Sequence, residues 1–468
     1  MNEHKLLKDK FGFDEFRPGQ LETITALEDG KNVLSVLPTG AGKSLIYQIY
    51  SYLVNKPILI VSPLLSLMND QVERIRYLGH EKVIALNSER DWKERNNILS
   101  TINQYRYIFI SPEMLNQNDV LNQLARLDLG LFVIDEAHCI SKWGVDFRPD
   151  YLSLKNDIKH LGHPQVLMLT ATASKKVQND IINRLGLTNC ERIIESVNRP
   201  NIFLGVHQTE NELDKQKYLM DTLKILKGPG IIYFSSKRMA NLMSEMINSE
   251  TNLKSAPYHA DLGNEDRFKI QHQFMDNELD VICATNAFGM GIDKADIKYV
   301  IHYHLPQDLE SYTQEIGRAG RNGQPSIAIL LYSPGDEQLT KNLLDHSIPT
   351  ERDYENYTHR KFNYLDEQVK RLLDFYTHHG YSINQIKQIF KDDSNLKLRE
   401  LYKLVDYINC DGCRRKFLLA NFDETFNEHD EKCCNIQHSE IKLEPYNYDV
   451  KKTKITSLNW KMIINRLF

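Results

Sequence analysis

At 468 residues the chain is too long for one ordinary hydrophobic core and suits two or three domains. Its 41% hydrophobic and 26% charged residues are those of a soluble globular protein, and no apolar run is long enough to cross a bilayer, which sets membrane classes aside. With a formal net charge of −5, bulk charge announces no nucleic-acid partner, and any such binding must come from local basic grooves. Met1-Asn2-Glu3-His4-Lys5 leads into no apolar signal segment, and seven cysteines suit a reducing cytosol, so a cytoplasmic protein is expected.

In chain order, short apolar runs at 33–37, 58–61, 107–110, 131–134 and 166–170 read as strands. Amphipathic stretches lie between them, such as 65–78 with Leu67, Met68, Val72 and Ile75 at helical spacing. This alternation predicts a doubly wound parallel α/β lobe. The polar Asn198-Arg199-Pro200-Asn201 breaks the pattern, and the rhythm then repeats with strands at 231–234, 281–284, 300–303 and 327–331 and a helix at 237–247. After Ser333-Pro334-Gly335 the text turns helical, as at 366–378, and a cysteine cluster follows. The units expected are 1–204, 205–345, 346–440 and a tail at 441–468.

Two motifs carry chemistry. Leu37-Pro38-Thr39-Gly40-Ala41-Gly42-Lys43-Ser44 follows the first strand and opens a helix, so its backbone N–H groups can cradle phosphates. Thr39, Gly40 and Gly42 shape the loop, Lys43 reaches the β- and γ-phosphates, and Ser44 ligates Mg²⁺. Leu37 stands where the strict pattern wants glycine. Asp135 and Glu136 directly follow the 131–134 strand, Asp135 to hold Mg²⁺ and Glu136 to orient and deprotonate water. The alternative for the loop is a glycine turn before a helix, and a lone Asp-Glu would usually be an exposed acidic turn. Their order, each behind an apolar strand, predicts ATP hydrolysis.

Leu7, Phe11, Gly12, Phe16, Arg17, Gln20, Glu22 and Ile24 stand at a spacing that resembles the N-terminal motif of RecQ-type DNA helicases. The resemblance implies two tandem RecA-like lobes, with Gln20 on the adenine edge and Phe13 and Arg17 flanking its ring. The segment from Cys139 to Pro149 resembles the family's aromatic-rich loop, which implies coupling of DNA to hydrolysis by Trp143, Phe147 and Arg148; Lys142 and Val145 depart from the common Gln and His. Leu169-Thr170-Ala171-Thr172-Ala173 and Ala284 to Asp293 resemble motifs III and V. Gln314-Glu315-Ile316-Gly317-Arg318-Ala319-Gly320-Arg321 resembles motif VI, which makes Gln314, Arg318 and above all Arg321, the arginine finger, catalytic candidates.

Cys410-x-x-Cys413, Cys433-Cys434 and His438 have the flavour of a metal site. Cys413-Arg414-Arg415 resembles the start of the family's zinc subdomain, but Ile436 and Ser439 occupy places where the family has cysteine. Two outcomes stay open: a zinc site from Cys410, Cys413, Cys433 and Cys434, or a metal-free helical subdomain. The expectation is a short RecQ-type helicase, ATP- and Mg²⁺-dependent and translocating 3′ to 5′ on single-stranded and forked or junction DNA in recombination and repair. Single-strand-binding and repair proteins are its expected partners, and the nucleoid its expected location. The alternatives are an ATP-gated DNA clamp or annealing factor, and an RNA-acting helicase.

Overall fold

The computed structural model describes residues 3–447 apart from 64, 78, 80–81, 88–91, 143–148, 290–293, 347 and 438. The first lobe is a seven-stranded sheet of β1 (Asn32–Val36), β2 (Ile58–Val61), β3 (Val83–Leu86), β4 (Tyr107–Ile110), β5 (Leu131–Ile134), β6 (Val166–Thr170) and β7 (Cys190–Ile194). Its order is β3-β4-β2-β5-β6-β1-β7 and all its pairings are parallel. The central strands are buried on both faces because helices cover each side, which is why they read as unbroken apolar runs. Register then does the positioning. Ile134 pairs with Met168 and Val36 with Thr170, so the carboxyl ends of β5, β6 and β1 come out side by side.

The second lobe has six strands, β8 (Ile202–Gln208), β9 (Gly230–Tyr233), β10 (Ser255–Tyr258), β11 (Val281–Ala284), β12 (Tyr299–His302) and β13 (Ser326–Tyr332). They are parallel, in the order β10-β11-β9-β12-β13-β8. β8 begins at Ile202, so the boundary expected after residue 204 falls inside a strand of the second sheet.

The last C-terminal helices pack onto the second lobe and do not form a core of their own. Leu401, Leu404, Tyr407 and Ile408 of the helix Ile383–Ile408, and Leu418, Leu419 and Phe422 around the helix Arg414–Ala420, share one core with β8, β9, β11, β12 and β13. Residues 433–435 cover the free edge of β8. Leu204 N donates to Cys433 O (3.1 Å), Asn435 N to Leu204 O (3.2 Å), and the Asn435 amide pairs with Val206 N and O (3.0 and 2.9 Å). A small satellite core of Tyr354, Leu372, Leu373, Tyr376, Ile386 and Phe390 lies among the preceding helices.

Candidate nucleotide site and its inter-lobe links

The loop after β1 takes the shape a phosphate cradle needs. Gly40 and Gly42 sit at φ +87° and +73°, where a side chain is strained, and Gly42 caps the helix Lys43–Val54. Leu37 costs this nothing: its side chain is buried in the core, and a Cβ on Gly19 would lie 2.3 Å from it, so a glycine elsewhere makes the room. Lys43 Nζ donates to Leu37 O (3.3 Å). Desolvation lowers the Lys43 pKa, Glu136 and Asp135 pull it back, and Arg321 of the other lobe pushes it down.

Asp135 and Glu136 leave β5 with different environments. Burial and the Glu136 charge raise Asp135 to about 7, with Lys43 opposing. Burial alone would raise Glu136, but the buried His138, 3.3 Å away, outweighs it and brings the carboxyl to about 2. Glu136 also sits at φ +49°, a left-handed conformation that a glutamate adopts only where its surroundings enforce it. A carboxylate pressed upward by burial and a neighbouring anion is one that a divalent cation relieves. Asp135 with the Ser44 hydroxyl in the first helical turn therefore fits Mg²⁺, which would supply charge neutralisation on the phosphates.

Gln20 is buried beside the loop. Its amide donates to Ala41 O (2.8 Å) and Gly42 O (3.1 Å), and its carbonyl accepts from Arg17 N (2.9 Å). Arg17 itself donates to Gly40 O, and Phe13 is 52% exposed. The amide expected to read adenine is thus already paired with the phosphate loop.

The two lobes meet across this site. From Glu136 the path runs to His138, whose Nδ1 is 3.1 Å from Thr170 Oγ1, then to Thr172 O (3.0 Å). Gln314 of the second lobe donates to Thr172 Oγ1 (2.9 Å). A Cβ on Gly40 would lie 3.4 Å from the Arg321 side chain, so Arg321 packs on the phosphate loop. Arg318 is buried and donates to Gly289 O instead. Trp143, Phe147 and Arg148 lie outside the described residues.

The cysteine cluster differs from expectation in one ligand. The donor atoms of Cys413, His429, Cys433 and Cys434 lie within 4.8 Å of one another, and Cys410 is not among them. Cys410 precedes the helix Arg414–Ala420, whereas Cys413 caps it and faces the 429–434 turn. His429 was missed in a charged stretch; its His-x-x-x-Cys spacing to Cys433 was the available signal. Cys413 Sγ is 3.6 Å from Cys433 Sγ and 3.7 Å from Cys434 Sγ, and His429 Nδ1 is 3.7 Å from Cys434 Sγ. Tetrahedral zinc with sulfur at ~2.3 Å needs ligand atoms roughly 3.8 Å apart, so the donor set fits a closed site. The Cys433 thiol and the N–H groups of Arg414 and Arg415 favour the thiolate at Cys434, while the same sharing of a proton holds Cys433 as the thiol until a metal displaces it.

Two parallel lobes with a phosphate loop, an acidic pair and a facing arginine define a superfamily 2 helicase-type motor. The DEAD/DEAH box helicase family matches residues 17–180, and the helicase conserved C-terminal domain matches residues 214–323. "Probable ATP-dependent DNA helicase RecS" of Bacillus subtilis is 40% identical, covering 98% of this chain and 96% of that protein. The ATP-dependent DNA helicases RecQ of B. subtilis and Haemophilus influenzae are 32% and 36% identical, covering 90% and 75% of this chain but 64% and 57% of theirs. Mycobacterium smegmatis helicase Lhr bound to ssDNA and AMP-PNP shares the fold at TM-score 0.58, 20% identity and coverage of 72% of this chain and 49% of that one. DEAD-box helicase Mss116 bound to ssRNA does so at 0.61, 16% identity, 86% and 90%. The chain belongs to the RecQ-type family of ATP-dependent DNA helicases.

Proposed function

We propose that this chain couples ATP hydrolysis to 3′-to-5′ movement on single-stranded DNA and to unwinding of tailed and forked duplexes. The observation that carries the reading is that the second lobe reaches the nucleotide site twice, through Gln314 on Thr172 and through Arg321 against Gly40. Hydrolysis then depends on lobe position, which is what a stepping motor requires. In the mechanism Glu136, kept ionised by His138, takes the proton of the attacking water at its carboxylate. Lys43 and the loop N–H groups hold the β- and γ-phosphates, and Arg321 stabilises charge on the transferring phosphoryl when the lobes are shut. Ser44 and Asp135 are the Mg²⁺ ligands in this reading, and Phe13 and Arg17 flank adenine. Trp143, Phe147 and Arg148 couple the strand to hydrolysis, and Cys413, His429, Cys433 and Cys434 hold one structural zinc ion.

A strand-displacement assay with ATP on 3′-tailed and 5′-tailed duplexes tests it, with Lys43→Ala as control. Displacement from the 3′-tailed substrate only, abolished in the control, is expected. ATP hydrolysis without displacement would make the protein a clamp, and stimulation by RNA alone would make it an RNA-acting enzyme.

A further inference from the structure

Arg199 lies in the short polar segment between β7 and β8, which the sequence offers only as a linker. Its guanidinium is spent entirely on backbone. Nη1 donates to Gly317 O (3.0 Å) and Thr39 O (3.4 Å), and Nη2 to Ala319 O (3.1 Å) and Gly320 O (2.7 Å). Thr39 belongs to the phosphate loop. The other three carbonyls end the helix Leu309–Ile316 and form the turn that carries Arg318 and Arg321. Carbonyls at a helix C-terminus lack intrahelical partners and favour a cation. One planar fork thus ties the arginine-bearing turn of the second lobe to the phosphate loop of the first. Asn201 adds to it by donating to Gly320 O and Gln324 O (2.9 Å each), where a Cβ on Gly320 would lie 2.4 Å from the Asn201 amide.

The linker backbone is itself held from the C-terminal region. The buried Arg415 donates through Nη1 to Asn198 Oδ1 (2.8 Å) and Arg199 O (2.9 Å), and through Nη2 to Ile202 O and Cys433 O. Hydrogen bonds therefore run without a break from Cys433 through Arg415 and Arg199 to Thr39.

We infer that Arg199 is a positioning residue for ATP hydrolysis, setting Arg321 against the phosphate loop, and that Arg415 fixes the linker from which it acts. This rests on the assignment of Arg321 to the transition state. A lysine at position 199 keeps the charge but presents a point donor that cannot span four carbonyls on two lobes.

The test is DNA-stimulated ATP hydrolysis by the full chain carrying Arg199→Lys, Arg321→Lys or both, with melting temperatures alongside. Arg199→Lys is expected to lower kcat about tenfold with KM for ATP within about threefold, at a melting temperature close to that of the parent. The double variant is expected within about twofold of Arg321→Lys, because residues acting as a unit are not additive. A wild-type kcat in Arg199→Lys, or losses that multiply in the double variant, overturns the inference. Unchanged hydrolysis in Arg321→Lys overturns instead the assignment of the finger. If Arg199→Lys is too unstable to assay, Asn198→Ala removes only one Arg415 contact. A loss of about threefold that vanishes in the Arg321→Lys background is expected there, and no loss refutes the inference.

Discussion

Asp135 and Glu136 are separated by one peptide bond, yet one lies above and the other below the ordinary carboxylate range. The difference comes from a third residue: His138 gives Glu136 a positive partner, and the remaining charge repels Asp135. Glu136→Gln keeps the shape and removes the base, so nucleotide affinity should persist while kcat falls by roughly 10²–10⁴. Steady-state hydrolysis with a nucleotide-binding titration checks this; equal losses in both would remove Glu136 as the base. A second carboxyl offers a stability test away from the site. Asp157 is buried in the helix Leu154–His160, and burial with Asp150 nearby raises it to about 7. Between about pH 4 and 7 the folded protein holds a proton that the unfolded chain has lost, so stability falls as pH rises through that window. Asp157→Asn should therefore stabilise by about 2–4 kcal/mol at pH 8 and by less at pH 5. Melting curves at the two pH values decide, and a gain that does not grow with pH would sink the argument. At this scale the sequence spoke for the groups proposed to meet phosphate and was silent on those that hold them. Leu37 looked like a defect because the compensating Gly19 lies eighteen positions back, and Arg199 looked like linker because carbonyl acceptors leave no mark in a side-chain pattern.

Among the elements, the four strands the apolar pattern did not find are the four sheet edges: β3 and β7 in the first lobe, β8 and β10 in the second. Central strands of a parallel sheet are covered on both faces and read as continuous apolar runs. Two edges carry residues that discourage pairing with other chains, Glu191 and Arg192 in β7 and Pro257 in β10, whereas β8 is sealed by residues 433–435 and β3 is a buried run of only four residues. The brace between the first lobe and the C-terminal region was hidden for a related reason, since it joins residues more than 220 apart. Glu424 accepts from Ser196 Oγ (2.5 Å) and Val197 N (2.9 Å), and Asp423, at φ +62°, accepts from Lys175 N (2.8 Å) at the start of the helix Lys175–Leu185. Glu424→Ala leaves the Val197 amide without its acceptor, at a cost of about 1–2 kcal/mol in local opening. Hydrogen exchange at Val197 should accelerate about 5–30-fold while amides of β5 keep their protection. Unchanged exchange would mean the contact does not brace the lobes.

For the molecule as a whole, the cysteine cluster belongs to the second lobe. Cys433 and Cys434 are buried in the same core as β8 and β9, and the segment that carries them seals the β8 edge. A structural metal there would hold the helicase lobe together, because closing a zinc site contributes folding free energy directly. Through Arg415 the same segment grips the linker, and on the inference above its loss is expected to reach the nucleotide site. Cys434→Ser should release zinc, measurable by native mass spectrometry, and lower the temperature of a single unfolding transition rather than create an early separate one. Cys410→Ser, outside the donor group, should keep one zinc per chain and the parental melting temperature. A Cys434→Ser protein that lost its metal and melted in two steps, with the first lobe and β8–β13 unaffected, would show the cluster to be an appendage, contrary to the shared core. The opposite result makes the chain one cooperative unit from phosphate loop to cysteines.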